Sequence, residues 1–310
     1  MNTLKIIVLF LFYTTLSFSQ GIATFERDIS INEHIDGTVL FPASVENPPL
    51  AIIIAGSGPT DRNGNQNFMQ NNSLKKLAES LGSEGIASFR YDKRIVKQIR
   101  KGNVDENIMF DDFITDAISV LNYFKVLKGF SSVHIIGHSQ GSLVGMVAAK
   151  EGADSFISLA GAGKPIDMVI LDQINKTAPM FTKDAEGVLA ILKEGKTTMD
   201  YPEALASIFN RDVQPFMSNW MQYDPQKEIK GLTIPILVVN GTKDLQVPIT
   251  EAELLKNASA NAELKIIEKM NHLLVTIEGD DLENSKSYNE SHRSISKELI
   301  KSLVEHLRMN

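Results

Sequence analysis

The sequence predicts an α/β fold: a mostly parallel sheet flanked by helices, with a helical segment inserted late in the chain. Three observations predict it. Continuous apolar runs, such as Leu50-Ala51-Ile52-Ile53-Ile54-Ala55 and Phe156-Ile157-Ser158-Leu159-Ala160, have the pattern of strands buried on both faces. Helical patterns separate those runs, so strands and helices alternate as in a parallel sheet with crossovers. From Lys164 to about Gly231 the alternation stops; no strand pattern appears there, and helical patterns punctuated by Pro165, Pro179, Pro202 and Pro215 take over. The predicted division is a sheet-bearing core of residues 20–163 and 231–310, with residues 164–230 as a helical cap.

Residues 1–19 stand apart. Lys5 and the amino terminus give a positive start, residues 6–16 are an uncharged apolar core, and Ser17 and Ser19 are small residues where a signal peptidase reads. This predicts a cleaved secretory signal and a secreted or periplasmic protein. The run is too short to span a bilayer comfortably, and no second segment has transmembrane length. No stable membrane span is expected after cleavage.

The core elements follow in order. Residues 22–31 and 35–41 alternate loosely and read as antiparallel strands closed by Pro42. Pro48-Pro49 turns the chain into the buried run 50–55. Leu74, Leu77, Ala78 and Leu81 mark a helix over 73–81 that stops at Gly82. Ile86-Ala87-Ser88-Phe89 is the next strand, and it runs into Arg90-Tyr91-Asp92-Lys93-Arg94, which reads as a salt-bridged corner near the site. Residues 110–127 form an amphipathic helix. Asp111 and Asp112 suit its positive amino end, Lys125 and Lys128 its negative carboxyl end, and Gly129 ends it. Ser132-Val133-His134-Ile135-Ile136 is a central strand. After the insertion, Pro235-Ile236-Leu237-Val238-Val239 resumes the sheet and Leu264-Lys265-Ile266-Ile267 completes it. Residues 278–283 read as a solvated acidic loop whose spacing lacks a calcium-loop pattern. Residues 295–307 close the chain as an amphipathic helix.

Composition narrows the function. The chain has 310 residues, 43% hydrophobic and 22% charged, enough for one large α/β domain with an insertion. Its net charge of −7, with no basic run, argues against a nucleic-acid partner. The absence of cysteine excludes disulfides, a thiol nucleophile and thiolate metal sites. No metal or organic cofactor is implied, and oligomeric state is not legible.

The chemistry concentrates at Gly137-His138-Ser139-Gln140-Gly141, a Gly-x-Ser-x-Gly placed between a strand and a small-residue helix pattern. A serine at such a turn is strained and holds its hydroxyl out at the sheet's edge. The new helix aims free N–H groups at the same spot, so the Gln140 N–H is a candidate oxyanion donor. Gly56-Ser57-Gly58-Pro59-Thr60-Asp61-Arg62-Asn63-Gly64-Asn65 follows a buried strand, where α/β sheets bind ligands. It offers the Ser57 N–H as a second donor. Its other reading is a tight surface turn; it lacks the Gly-Lys-Ser/Thr ending of a phosphate loop.

A serine hydroxyl needs a base, and the base needs an acid to orient it. Of six histidines, only His272 follows a sheet strand in a loop. Asp244 follows the preceding sheet strand in the same way. The order Ser139, Asp244, His272 is nucleophile, acid, base. Large apolar residues of the insertion (Met180, Phe181, Phe209, Phe216, Met217, Trp220, Met221 and Tyr223) either join the cap to the core or line an acyl pocket.

With these pieces the chain resembles the α/β-hydrolases, and more closely the bacterial carboxylesterases grouped with serine-aminopeptidase-like hydrolases. The resemblance rests on Ala55-Gly56-Ser57-Gly58-Pro59-Thr60-Asp61-Arg62, Arg90-Tyr91-Asp92-Lys93-Arg94, Gly137-His138-Ser139-Gln140-Gly141, and Gly241-Thr242-Lys243-Asp244 with Asn271-His272. It implies Ser139 as nucleophile, His272 as base, Asp244 as orienting acid, Ser57 and Gln140 as oxyanion donors, and a small-molecule ester as substrate. Relatives continue Asp-Lys-Arg with Gly-x-Gly where this chain has Ile95-Val96-Lys97, so the following loop is expected to differ. The same triad suits an aminopeptidase or acyl-amide hydrolase, for which Glu186, Glu194 and Glu203 are candidate ammonium ligands. A catalytically silent binding protein on the same fold is the third reading.

Overall fold

The computed structural model describes residues 21–310; the signal reading of residues 1–19 falls outside them. An eight-stranded sheet runs in the order β1-β2-β4-β3-β5-β6-β7-β8. Its strands are β1 (Thr24–Ser30), β2 (Asp36–Pro42), β3 (Leu50–Ile54), β4 (Ala87–Tyr91), β5 (Val133–His138), β6 (Phe156–Leu159), β7 (Ile236–Gly241) and β8 (Ala262–Ile267). β2 pairs antiparallel with both β1 and β4, and every other pairing is parallel. The antiparallel pair is thus the two loosely alternating segments, and the parallel part is made of the continuous apolar runs. β3 and β5 are buried along their whole length because helices cover both faces.

Alternate residues of each central strand face different cores. Ile52, Ile54, Ile135 and Val238 join one with Leu143, Val144 and Met146 of α4 (Gln140–Ala149) and with Phe110, Phe113 and Phe124 of α3 (Phe110–Val126). Ala51, Ile53, Ile136 and Val239 join the other with Leu74 and Leu77 of α1 (Ser73–Ser83) and Leu299 and Leu303 of α12 (Lys297–Met309). The crossovers leaving β3 and β5 therefore cover opposite faces, and β4 and β6 lie on opposite sides of the β3–β5 pair. The loops after β3 and β5 diverge there, which opens a crevice at the carboxyl ends of the strands.

Among the described residues, the stretch between β6 and β7 contains helices and no strand: α5 (Ile166–Thr177), α6 (Thr182–Lys193), α7 (Ala206–Phe209), α8 (Gln214–Trp220) and α9 (Pro225–Lys230). They enclose a small core of their own around Ile174, Val188, Leu192, Leu205 and Phe209. An aromatic stack joins them to α3, with Phe110 and Trp220 at 5.3 Å and 4°. The Tyr223 hydroxyl adds a 2.7 Å hydrogen bond to Asp111. Among the described residues no helix is long and apolar enough to cross a membrane.

Three helices were not expected. α2 (Arg94–Lys101) occupies the segment with Ile95-Val96-Lys97, which was expected to be a loop, and Gly102 ends it in the left-handed region at φ 65°. α10 (Ile249–Ala258) buries Ala252 and Leu255, which lie three residues apart on one face. α11 (Asp281–Ser287) corrects the solvated-loop reading of residues 278–283: the Asp280 carboxylate caps it, accepting from the N–H groups of Leu282 and Glu283 at 3.1 Å.

Candidate active site

The turn from β5 into α4 puts Ser139 at φ 53° and ψ −121°, a conformation L-residues rarely adopt. Its neighbours make that turn possible. A Cβ at position 137 would sit 2.3 Å from the Gly141 carbonyl oxygen, and one at 141 would sit 2.4 Å from the Ile54 carbonyl oxygen. Both obstacles are backbone, so only glycine lets the helix start this close to the sheet. The Ser139 N–H donates to Leu159 O at 2.8 Å, which anchors the strained residue to the end of β6. Among the described residues, the Gln140 N–H has no acceptor, as expected for the first residue of a helix.

The loop after β3 runs alongside. Its carbonyls are held from behind: Thr60 Oγ1 and Gln66 Nε2 each donate to Ser57 O at 2.8 Å. The Ser57 N–H, like that of Gln140, has no acceptor among the described residues.

Asp244 and His272 arrive from the loops after β7 and β8. His272 Nδ1 lies 2.8 Å from Asp244 Oδ2, and both side chains are buried. The other carboxylate oxygen, Oδ1, accepts the N–H groups of Gln246 and Val247 at 2.8 and 2.9 Å. The carboxylate is thus fixed at both oxygens. Its partner holds Nδ1 as the protonated nitrogen and leaves Nε2 without a protein partner among the described residues. Ser139 and His272 line one cavity together with Ser57.

No family model matches the chain. Esterase EstD of Thermotoga maritima is 29% identical over 259 residues, covering 82% of this chain and 61% of that protein. The chain therefore spans about 61% of the length of this curated relative. Est1E from Butyrivibrio proteoclasticus superposes with a TM-score of 0.59 at 17% identity, over 92% of this chain and 99% of that one. The peroxisomal α/β-hydrolase Lpx1 from Saccharomyces cerevisiae does so with a TM-score of 0.53 at 12% identity, over 93% and 89%. The chain has the α/β-hydrolase fold.

Two cavities of this fold meet at Ser139. One, of about 330 Å³, is lined by His272, Gln66, Ser73, Gln246 and Tyr288. The other, of about 430 Å³, is lined by Gln140 and by Leu143, Val169, Ile170, Phe216, Met217 and Trp220. Of the large apolar residues singled out in the insertion, Phe216, Met217 and Trp220 thus face a cavity. Phe209 and Met221 belong to the insertion's own core, and Met180 is exposed. Glu186, Glu194 and Glu203 are exposed and line neither cavity, and no carboxylate is among the lining residues of either. Ile95, Val96 and Lys97 also lie away from both.

Sequence reasoning missed the residues that hold the site together. His138 donates from Nε2 to the backbone carbonyl of His272 at 2.8 Å, so the residue beside the serine anchors the loop that carries His272. Burial, with His272 alongside, pushes its pKa down to about 4, so it stays neutral near pH 7. Asn284 of α11 is buried; it donates to Lys243 O at 2.7 Å and accepts from Asn271 Nδ2 at 2.9 Å, bridging the Asp244 and His272 loops. No sequence signal marks Asn284, because its partners are a backbone carbonyl 41 residues away and a side chain 13 away. The charged corner is a set of ion pairs, as expected. Asp92 binds Arg62 and Arg100, and Arg94 binds Asp112 and Asp116.

Proposed function

We propose that this chain is an exported serine hydrolase that cleaves carboxylic esters. The observation that carries the reading is a strained Ser139 sharing a cavity wall with a histidine whose far nitrogen is bound to a buried, doubly anchored carboxylate. Ser139 Oγ attacks the ester carbonyl as His272 Nε2 takes its proton, and Asp244 steadies the imidazolium. The Ser57 and Gln140 N–H groups receive the oxyanion. The tetrahedral intermediate collapses, the C–O bond breaks, and His272 returns the proton to the departing alcohol. Water, deprotonated by His272, then releases the acid from Ser139.

The two cavities orient the substrate. His272 must reach the leaving oxygen, and it lines only the smaller, more polar cavity, so the alcohol departs on that side. The acyl group rests in the apolar cavity beneath α5 and α8, with residues 164–230 acting as its cap. An aminopeptidase needs an anion for the substrate's ammonium, and the absence of a carboxylate from both linings favours esters. Support for export comes from Lys5, the apolar run 6–16 and the small residues Ser17 and Ser19.

The test is hydrolysis of p-nitrophenyl esters from acetate to long acyl chains, with Ser139→Ala alongside. Turnover by the natural chain and none by the variant, with the fold intact by circular dichroism, is expected. Full activity in Ser139→Ala would exclude the assignment.

A further inference from the structure

Among the described residues, one cation of the charged corner lacks an anion. Arg90 is paired with Glu26, and Asp92 and Arg94 are paired as described. Lys93 is buried, and among the described residues no carboxylate lies within ion-pair distance of it. Its Nζ donates instead to Gly56 O at 2.8 Å, Gln140 Oε1 at 2.7 Å and Gly58 O at 3.3 Å, and it sits 4.4 Å from the centre of the Phe113 ring. Three acceptors call for three N–H donors, which an ammonium has and a neutral amine lacks. Desolvation works against that charge and pulls the pKa down to about 7. A buried cation with no counter-anion is a cost to the folded state.

Its two closest acceptors point to a use. Gly56 C=O and Ser57 N–H belong to one peptide unit. A cation bound to the oxygen of that unit draws electron density from its nitrogen and makes the N–H a stronger donor. The other acceptor is the side chain of Gln140, the residue whose N–H is the second donor. One ammonium therefore ties together the two residues that face the substrate oxygen.

We propose that Lys93 is a positioning residue for the oxyanion site: it locks the Ser57 peptide to Gln140, and its charge finds a counter-charge only when the substrate oxygen becomes negative. This rests on the reading of Ser139 as nucleophile. An interaction that strengthens only in the transition state raises turnover and leaves substrate binding almost unchanged. A purely structural brace would act on stability and on KM alike.

The experiment compares the natural chain with Lys93→Met. Expected are a kcat lower by about 10- to 100-fold, below the cost of removing a direct oxyanion donor, and a KM within about twofold. Affinity for an aryl trifluoromethyl ketone, which becomes an anionic adduct on Ser139, should fall by a similar factor; removing a desolvated charge and leaving the Gly56 and Gln140 acceptors bare act on thermal stability in opposite directions, so kcat and ketone affinity are the deciding readouts. Unchanged kcat and ketone affinity would overturn the proposal, as would a lower Tm accompanied by a proportionate rise in KM. Should Lys93→Met fail to fold, Lys93→Arg and Lys93→Gln carry the same test, and the charged variant must bind the ketone more tightly. Labelling of the natural chain by a fluorophosphonate separates the two levels. Labelling with an unaffected Lys93→Met refutes the Lys93 role alone; no labelling refutes the nucleophile and the Lys93 role together.

Discussion

Replacing Gly141 by alanine adds a single methyl group and is expected to damage the site from behind. The new Cβ would stand 2.4 Å from Ile54 O and 2.6 Å from Ala55 O, whereas ordinary contact begins at 3.4 Å. Ile54 O cannot retreat, because it ends β3, which is hydrogen-bonded to β4 on one side and β5 on the other. The start of α4 must therefore move away from the sheet by about 1 Å, taking Ser139 and the Gln140 N–H with it. Overpacking of this kind costs about 1–3 kcal/mol, and a 1 Å misplacement of reacting groups costs on the order of 100-fold in rate. The assay is kcat on a p-nitrophenyl ester together with the thermal midpoint. Gly187→Ala is the control: position 187 lies in α6 with nothing within 4 Å of the added carbon. That change should leave kcat alone and stabilise by roughly 0.5–1 kcal/mol through helix propensity. Gly141→Ala with natural kcat and an unchanged midpoint would refute the steric account of the turn.

Three further outcomes are expected. Asp244→Asn keeps the shape but cannot accept at both former oxygens, so kcat should fall on the order of 10⁴-fold, as in other triads; near-natural activity in a kinetic assay would point to a different acid. Asn284→Ala orphans Lys243 O and removes one partner of Asn271, at about 1–3 kcal/mol for each group left unsatisfied. Urea unfolding should register that loss and kcat should fall with the His272 loop loosened; a change in neither would show that α11 does not position the site. Acid should destabilise the fold through His134 and His138, whose pKa values burial pushes down to about 4. The unfolded chain protonates near 6.5, so their contribution is complete above that pH and is lost as pH falls toward 4, by about 3 kcal/mol per histidine. Urea midpoints between pH 7.5 and 4.5 would measure it, and a pH slope in His134→Gln equal to that of the natural chain would contradict it.

The parts of the site legible in sequence are those whose chemistry is local. Ser139 announces itself because its turn needs Gly137 and Gly141 within two residues, and because an apolar strand precedes it. His272 is legible by elimination among the histidines, and Asp244 by its place after the preceding strand run. The short helices α2, α10 and α11 were not expected: Ile95, Val96 and Ile99 in α2 and Ile249, Ala252 and Leu255 in α10 do recur at helical spacing, but only over a few turns and among charged residues. Their stability comes from caps and from what they rest on.

The sequence by itself determined the layered α/β architecture and the antiparallel start of the sheet, and it singled out the candidate serine, acid and base. Periodicity and strained turns are written over a few neighbouring residues, and their physical causes act over that same distance. Only the tertiary structure decided which groups meet. Phe216 and Trp220 face a cavity while Phe209 fills a separate core; the ring of His138 reaches the carbonyl of His272; Lys93 is left as a cation with no carboxylate beside it among the described residues. Each of these depends on contacts between residues far apart in the chain, and such contacts exist only after the sheet has brought its strand ends together.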